Sequence, residues 1–239
     1  MRSLRVSFAI IIIALLLAAG AGAVHAQSKS YHWDVFDVDI TILNNGDMQV
    51  VETQTIAFTS GTFRYVYADI PLGRLEQITD VQVWEGEQAY ARSGSETPDT
   101  FSVTTEDDML SIQWFFSPTA NATRTWALHY TVKGGMRYYE GGDQLYWKAI
   151  APDRDQRIRS STERVHLPAS FSADQLVIAA YGAPAHWELT DPQTVTFTAD
   201  REILANTELE VRVQFPHDVI SGQAPSWQAA YDRKAAFQE

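Results

Sequence analysis

Carboxylates, histidines, arginines and tryptophans are the side chains here that could do chemistry, and their spacing sorts them. Asp37 and Asp39 project from one face of an alternating run, a separation that could hold a cation or do acid–base work on a concave surface. The same pair serves equally to keep a sheet face soluble, and that is the reading adopted. Glu106-Asp107-Asp108 falls between two alternating runs and reads as a hairpin tip, with fewer oxygens than the roughly six to eight that calcium takes. Asp153-Arg154-Asp155-Gln156-Arg157 opens like a calcium loop, but Arg157 stands where a third ligand belongs and no glycine follows. His32, His129, His166, His186 and His217 form no HxH or HExxH pair. No catalytic residue, metal site or cofactor is therefore expected.

Three groups remain. Glu52 shares a strand face with Val50 and Ile56 and would be costly to bury alone, so an internal ion pair with Arg64 is expected. Lys148, Arg154, Arg157, Arg159 and Arg164 make a basic cluster in an acidic chain; Arg154, Arg157 and Arg159 are the candidate surface for an acidic envelope partner. Among seven tryptophans, Trp114 and Trp126 fall in phase with core positions, whereas Trp33 and Trp84 fall on the opposite faces of their strands. Left exposed, those two would form a platform for stacking on sugar rings. No GxSxG elbow, phosphate loop or dinucleotide fingerprint follows any strand.

The elements that position these groups are strands. Residues 31 to 43 alternate with Phe36, Val38, Ile40 and Ile42 on one face, Asn45-Gly46 turns the chain, and residues 48 to 58 return with Met48, Val50, Ile56 and Phe58 inward. Further strands are expected near 62–70, 78–85, 88–92, 99–104, 109–116, 123–132, 144–150, 162–167, 175–181, 186–190, 194–198 and 207–215. The expected fold is all-β: two immunoglobulin-like sandwiches in series, over 27–133 and 134–217, with a seam at Gly134-Gly135. One larger β-sandwich is the alternative. Residues 218–239 read as a linker and the start of a short C-terminal helix behind Pro225.

Residues 1–26 read as a signal peptide helix: Arg2 and Arg5, a 14-residue apolar run from Val6 to Ala19, and Val24-His25-Ala26 as the cleavage site. The run is shorter than the roughly 20 residues of a membrane-spanning helix. The whole chain carries a net charge of −12, which opposes nucleic-acid binding. It has no cysteine, so an exported form depends on its hydrophobic core, and thiol catalysis, Cys-ligated zinc and Cys-type lipid anchoring are excluded.

The ordered motifs NNGDMQVVET, FRYVYADIP, IQWFF, ALHYTVKG, LYWKAI, ERVHLP and LEVRVQFPHDVISG, with PSWQ beyond them, span nearly all of the chain after the leader. In this order the sequence resembles the predicted bacterial membrane proteins grouped as domain of unknown function 2207, specifically their N-terminal extracytoplasmic region. The resemblance implies a linker helix, transmembrane segments and often a Gly-rich tail downstream, and it brings no catalytic residue, cofactor or ligand. The expectation is an exported, membrane-tethered β-sandwich ectodomain with an interaction or structural role at the cell envelope. It would be anchored by a segment beyond these residues and would have an envelope protein or glycan as partner. A carbohydrate-binding module is the first alternative and a carboxylate-dependent envelope-polymer hydrolase the second.

Overall fold

A computed structural model describes residues 28–236, so the leader expected over residues 1–26 lies outside the described residues. Strands dominate, in three sheets. The largest has the order β14 (Ala185–Asp191), β15 (Thr194–Ala199), β12 (Thr162–His166), β1 (Ser30–Ile42), β2 (Met48–Ser60), β9 (Ala122–Lys133), β4 (Gln77–Glu85), β5 (Gln88–Ala89), with β11 (Ile158–Ser160) beside β1. A second comprises β3 (Phe63–Pro71), β8 (Met109–Thr119), β7 (Thr100–Glu106) and β6 (Ala91–Arg92). The third comprises β10 (Asp143–Ile150), β16 (Leu209–Phe215) and β13 (Val177–Gly182). A nine-residue helix, α1 (Gln228–Ala236), closes the described chain.

The elements form where the apolar alternation puts them. Met48, Val50, Ile56 and Phe58 of β2 face the core, as do Trp126, Leu128, Tyr130 and Val132 of β9. Across the layers Phe58 meets Phe63 and Phe116, and Trp126 meets Trp114 and Phe116. The Glu106-Asp107-Asp108 tip is a hairpin: Glu106 pairs with Met109, and Asp107 and Asp108 both take left-handed backbone (φ 47° and 59°), the conformation of a type I′ turn. Asn45-Gly46 turns β1 into β2, with Gly46 at φ 82° and the Asn45 side-chain oxygen accepting the Asp47 N–H.

Two sandwiches in series is not how the strands are shared. β1 pairs antiparallel with β2 on one side and parallel with β12 on the other, so strands on both sides of Gly134-Gly135 belong to one sheet. A single hydrophobic cluster also runs from Trp33 to Ile220. One larger β-sandwich is the arrangement compatible with this sharing. The seam glycines are close-packing positions instead: a Cβ on Gly134 would meet Glu76 at 2.5 Å, and one on Gly135 would meet Met48 at 2.5 Å.

The period of two also misplaces Trp33. β1 carries a register shift between Trp33 and Val35, leaving Asp34 unpaired, and such a bulge inverts the facing of every residue before it. Trp33 therefore lies opposite Ile56 on the core face, only 8% exposed.

Candidate functional site

Four carboxylates are among the buried polar groups: Glu52, Asp143, Glu163 and Glu210. Val38 of β1 is flanked in register by Glu52 of β2 and Glu163 of β12, so the two carboxylates occupy one row across three strands on the inward face. Glu52 accepts hydrogen bonds from the Tyr130 hydroxyl (2.7 Å) and the Gln54 amide (3.1 Å), and Gln54 in turn accepts from the Trp33 indole at 3.0 Å. Burial pushes the Glu52 pKa up, against both hydrogen bonds. Its expected partner is thereby corrected: Glu52 is satisfied by neutral donors, while Arg64 is exposed on β3. A phenol and an amide hold the carboxyl without the cost of desolvating a guanidinium. Glu163 accepts from the Ser161 hydroxyl at 2.7 Å through Oε1, and its Oε2 is buried without a partner.

The basic cluster is dispersed into local contacts. Arg154 donates to the carbonyls of Gln156 (2.8 Å), Leu204 (2.9 Å) and Thr207 (2.6 Å), and burial draws its pKa down to about 10. Arg157 pairs with Glu202 at 3.3 Å, Arg159 with Asp34 at 2.8 Å, Arg164 with Asp39 at 3.5 Å, and Lys148 with Glu208. Asp37 accepts the Thr162 N–H at 3.0 Å. Trp84 lies on the outer face of β4 over His129, its ring 6.4 Å away, and donates to Gln82. Trp33 and Trp84 thus do not form a joint platform. Among the described residues no group of three or more His, Asp or Glu side chains could hold a metal ion.

The arrangement that the sequence did not announce is a clasp around the C-terminal strap, residues 216–236. Arg137 is sandwiched between Tyr146 of β10 (4.5 Å to the ring centre) and Tyr231 of α1 (4.4 Å), with Trp227 at 5.9 Å. Arg74 reaches the same two tyrosines at 5.5 and 5.9 Å and pairs with Glu210 of β16 at 2.8 Å. Cations over aromatic faces contribute about 0.5–2 kcal/mol each, more when shielded from water. Neutral hydrogen bonds add register. The Gln228 side chain accepts the Tyr138 N–H (3.0 Å) and donates to its carbonyl (2.8 Å), and the Trp227 indole donates to the Gly134 carbonyl at 2.8 Å.

Upstream, His217 donates to the fully buried Asp143 at 2.6 Å, a contact that holds its pKa up. The Tyr138 hydroxyl lies where a Cβ on Gly46 or Gly222 would stand, 2.0 and 1.8 Å away, so only glycine lets the strap close over the β1–β2 turn. The local signal for the clasp was the i, i+4 spacing of Trp227 and Tyr231, which puts both rings on one helix face. Its partners Arg74, Arg137 and Tyr146 are scattered in sequence and gave none.

Compared with solved structures, the chain is similar to a two-domain M1 zinc metallopeptidase bound to L-tryptophan, with 13% identity and a TM-score of 0.46 over 78% of this chain and 43% of that one. It is similar to an M1 zinc metallopeptidase from Deinococcus radiodurans with 13% identity and a TM-score of 0.46 over 78% and 42% of the two chains. It is also similar to a putative protease from Parabacteroides distasonis with 9% identity and a TM-score of 0.46 over 78% and 40%. The chain spans less than half the length of each of these structures. No curated relative matches it. The family described as predicted membrane protein (DUF2207), N-terminal domain, matches residues 34–215, from β1 to the end of β16, and the chain belongs to that family.

Proposed function

We propose that this chain is the exported, membrane-tethered β-sandwich region of a cell-envelope protein, with an interaction or structural role and not a catalytic one. The observation that carries the reading is the clasp. Arg74, Arg137 and the Tyr138 backbone hold the strap through Tyr231 and Gln228, which fixes the direction in which the strap leaves the sandwich. A fixed exit suits a domain that must be presented at a set angle from an anchor. The family's description as a membrane protein supports the tether. The reading of residues 1–26 as a leader supports export; among the described residues no helix is long and apolar enough to cross a membrane.

The partner on this reading is another envelope protein. A sugar platform on Trp33 loses support from the burial of that ring. Fractionation of cells expressing the full-length protein tests the tether: it is expected in the membrane pellet after an alkaline wash that strips peripheral proteins. Recovery in the wash would reject tethering.

A further inference from the structure

We infer that the free edge of β3 is a pairing surface for the β3 strand of a second copy of this chain, aligned antiparallel with Tyr67 at the two-fold axis. β3 ends its sheet, and among the described residues no strand covers its outer side. Of the other edges, β5 and β6 have two residues each and the start of β10 is bridged by Arg137, while β14 breaks register between Leu189 and Asp191; β13 (VIAAYG) is also an edge uncovered among the described residues but carries no charged residue to set a pairing register.

The main-chain polarity of β3 follows from its ladder. Leu72, just past the strand and in register with Asp108, donates its N–H to the Asp108 carbonyl at 2.8 Å. Alternation then turns the N–H and C=O groups of Val66, Ala68 and Ile70 toward β8 and those of Tyr65, Tyr67 and Asp69 away from it. Pro71, the next residue of the outward set, has no N–H to leave unpaired, as an edge position allows. The side chains of Tyr65 and Tyr67 stand on the outer face, 47% and 59% exposed, with Phe115, the β8 residue in register with Tyr65, 6.2 Å from it between ring centres.

The choice of a second copy rests on charge and register. A face-preserving antiparallel pair centred on Tyr67 sets Tyr65 opposite the partner's Asp69, engages every outward N–H of the set, and stops at Pro71. It brings the Arg64 end of each strand beside the Asp69 end of the other, whereas parallel pairing would set like charges together. β3 carries one charge of each sign, so this contact escapes the repulsion expected between two chains of net charge −12. The inference stands whether or not the chain is tethered.

None of these 239 residues is a cysteine, so single replacements in β3, compared with the parent protein, report the register. In the proposed pair the two Tyr67 Cα atoms lie about 5.5 Å apart, inside the range of about 4.4–6.8 Å that a disulfide spans. The Asp69 atoms lie roughly 14 Å apart. Oxidation of the full-length Tyr67→Cys protein in membranes is expected to give a reducible dimer, Asp69→Cys none, and the Tyr65→Cys/Asp69→Cys double variant a dimer again. Tyr67→Pro, which removes an outward N–H, should abolish the dimer of the unlinked protein in sedimentation. Even if Tyr67→Pro fails to fold, the cross-linking pattern decides. Tyr67→Cys remaining monomeric, Asp69→Cys cross-linking as well as Tyr67→Cys, or Tyr67→Cys joined to a different protein would each overturn the inference.

Discussion

Replacing Glu163 with glutamine should change how stability depends on pH. Glu163 is 0% exposed. Burial lifts its pKa from 4.5 to about 8, opposed by the Ser161 hydrogen bond and reinforced by the nearby Asp37 charge. Below 4.5 the folded and unfolded chains are both protonated here and stability is at its full value. From there to about 8 only the folded chain keeps the proton, so stability falls by ~1.4 kcal/mol per pH step, and it levels off once the folded carboxyl ionises. The full span corresponds to about 5 kcal/mol, comparable to the stability of a whole small domain.

Glutamine keeps the side-chain size and cannot ionise. Urea unfolding followed by tryptophan fluorescence should find Glu163→Gln close to the parent at pH 5 and about 3–5 kcal/mol more stable at pH 8.5. A residual slope of the same sign should persist in the variant, because burial also raises the pKa values of Glu52 and Asp37. Parallel curves for parent and variant would refute the reasoning, since they would mean that Glu163 ionises in the fold as easily as in the unfolded chain.

Other perturbations separate core from surface and clasp from sandwich. Tyr130→Phe strips a donor from buried Glu52 and should cost about 1–3 kcal/mol in urea unfolding at pH 7; an unchanged midpoint would show that water replaces the phenol. Trp33→Ala should cost about 3–5 kcal/mol and Trp84→Ala less than half as much, measured the same way, because only Trp33 is core. Gly222→Ala drives a methyl group into Tyr138 and should release the strap, seen as faster proteolysis within 216–236 while the sandwich stays intact. Arg137→Met should speed amide exchange in α1 without altering that of β2 and β9.

Much of the strand plan was legible because β2 and the inner part of β9 alternate without interruption, as β8 does up to Trp114. The face of each residue in them, including Glu52, Trp114 and Trp126, follows from the period of two. Where the period breaks, so does the reading: the bulge at Asp34 carries no residue-type signal, and it moved Trp33 from the outer to the inner face. The parallel pairing of β1 with β12, which joins the two halves into one sheet, links residues more than a hundred positions apart and leaves no local trace. β11 is only three residues long and fell below any periodicity. Glu52 illustrates both sides, its burial visible from its neighbours in sequence but its partner Tyr130 supplied by a strand whose register only the folded sheet sets. The clasp escaped because a cation between two rings requires three distant segments to meet, and only the Trp227–Tyr231 spacing on one helix is written locally.

Whether the domain is exported and held at a membrane can be read from outside the cell. Leu204 is 59% exposed and none of the 239 residues is a cysteine, so Leu204→Cys adds an accessible thiol to this region, read against the parent protein labelled in parallel. In intact spheroplasts expressing the full-length variant, a membrane-impermeant maleimide should label the membrane-bound protein to the same extent before and after lysis. Labelling that occurs only after lysis would place the domain in the cytoplasm and rule out export.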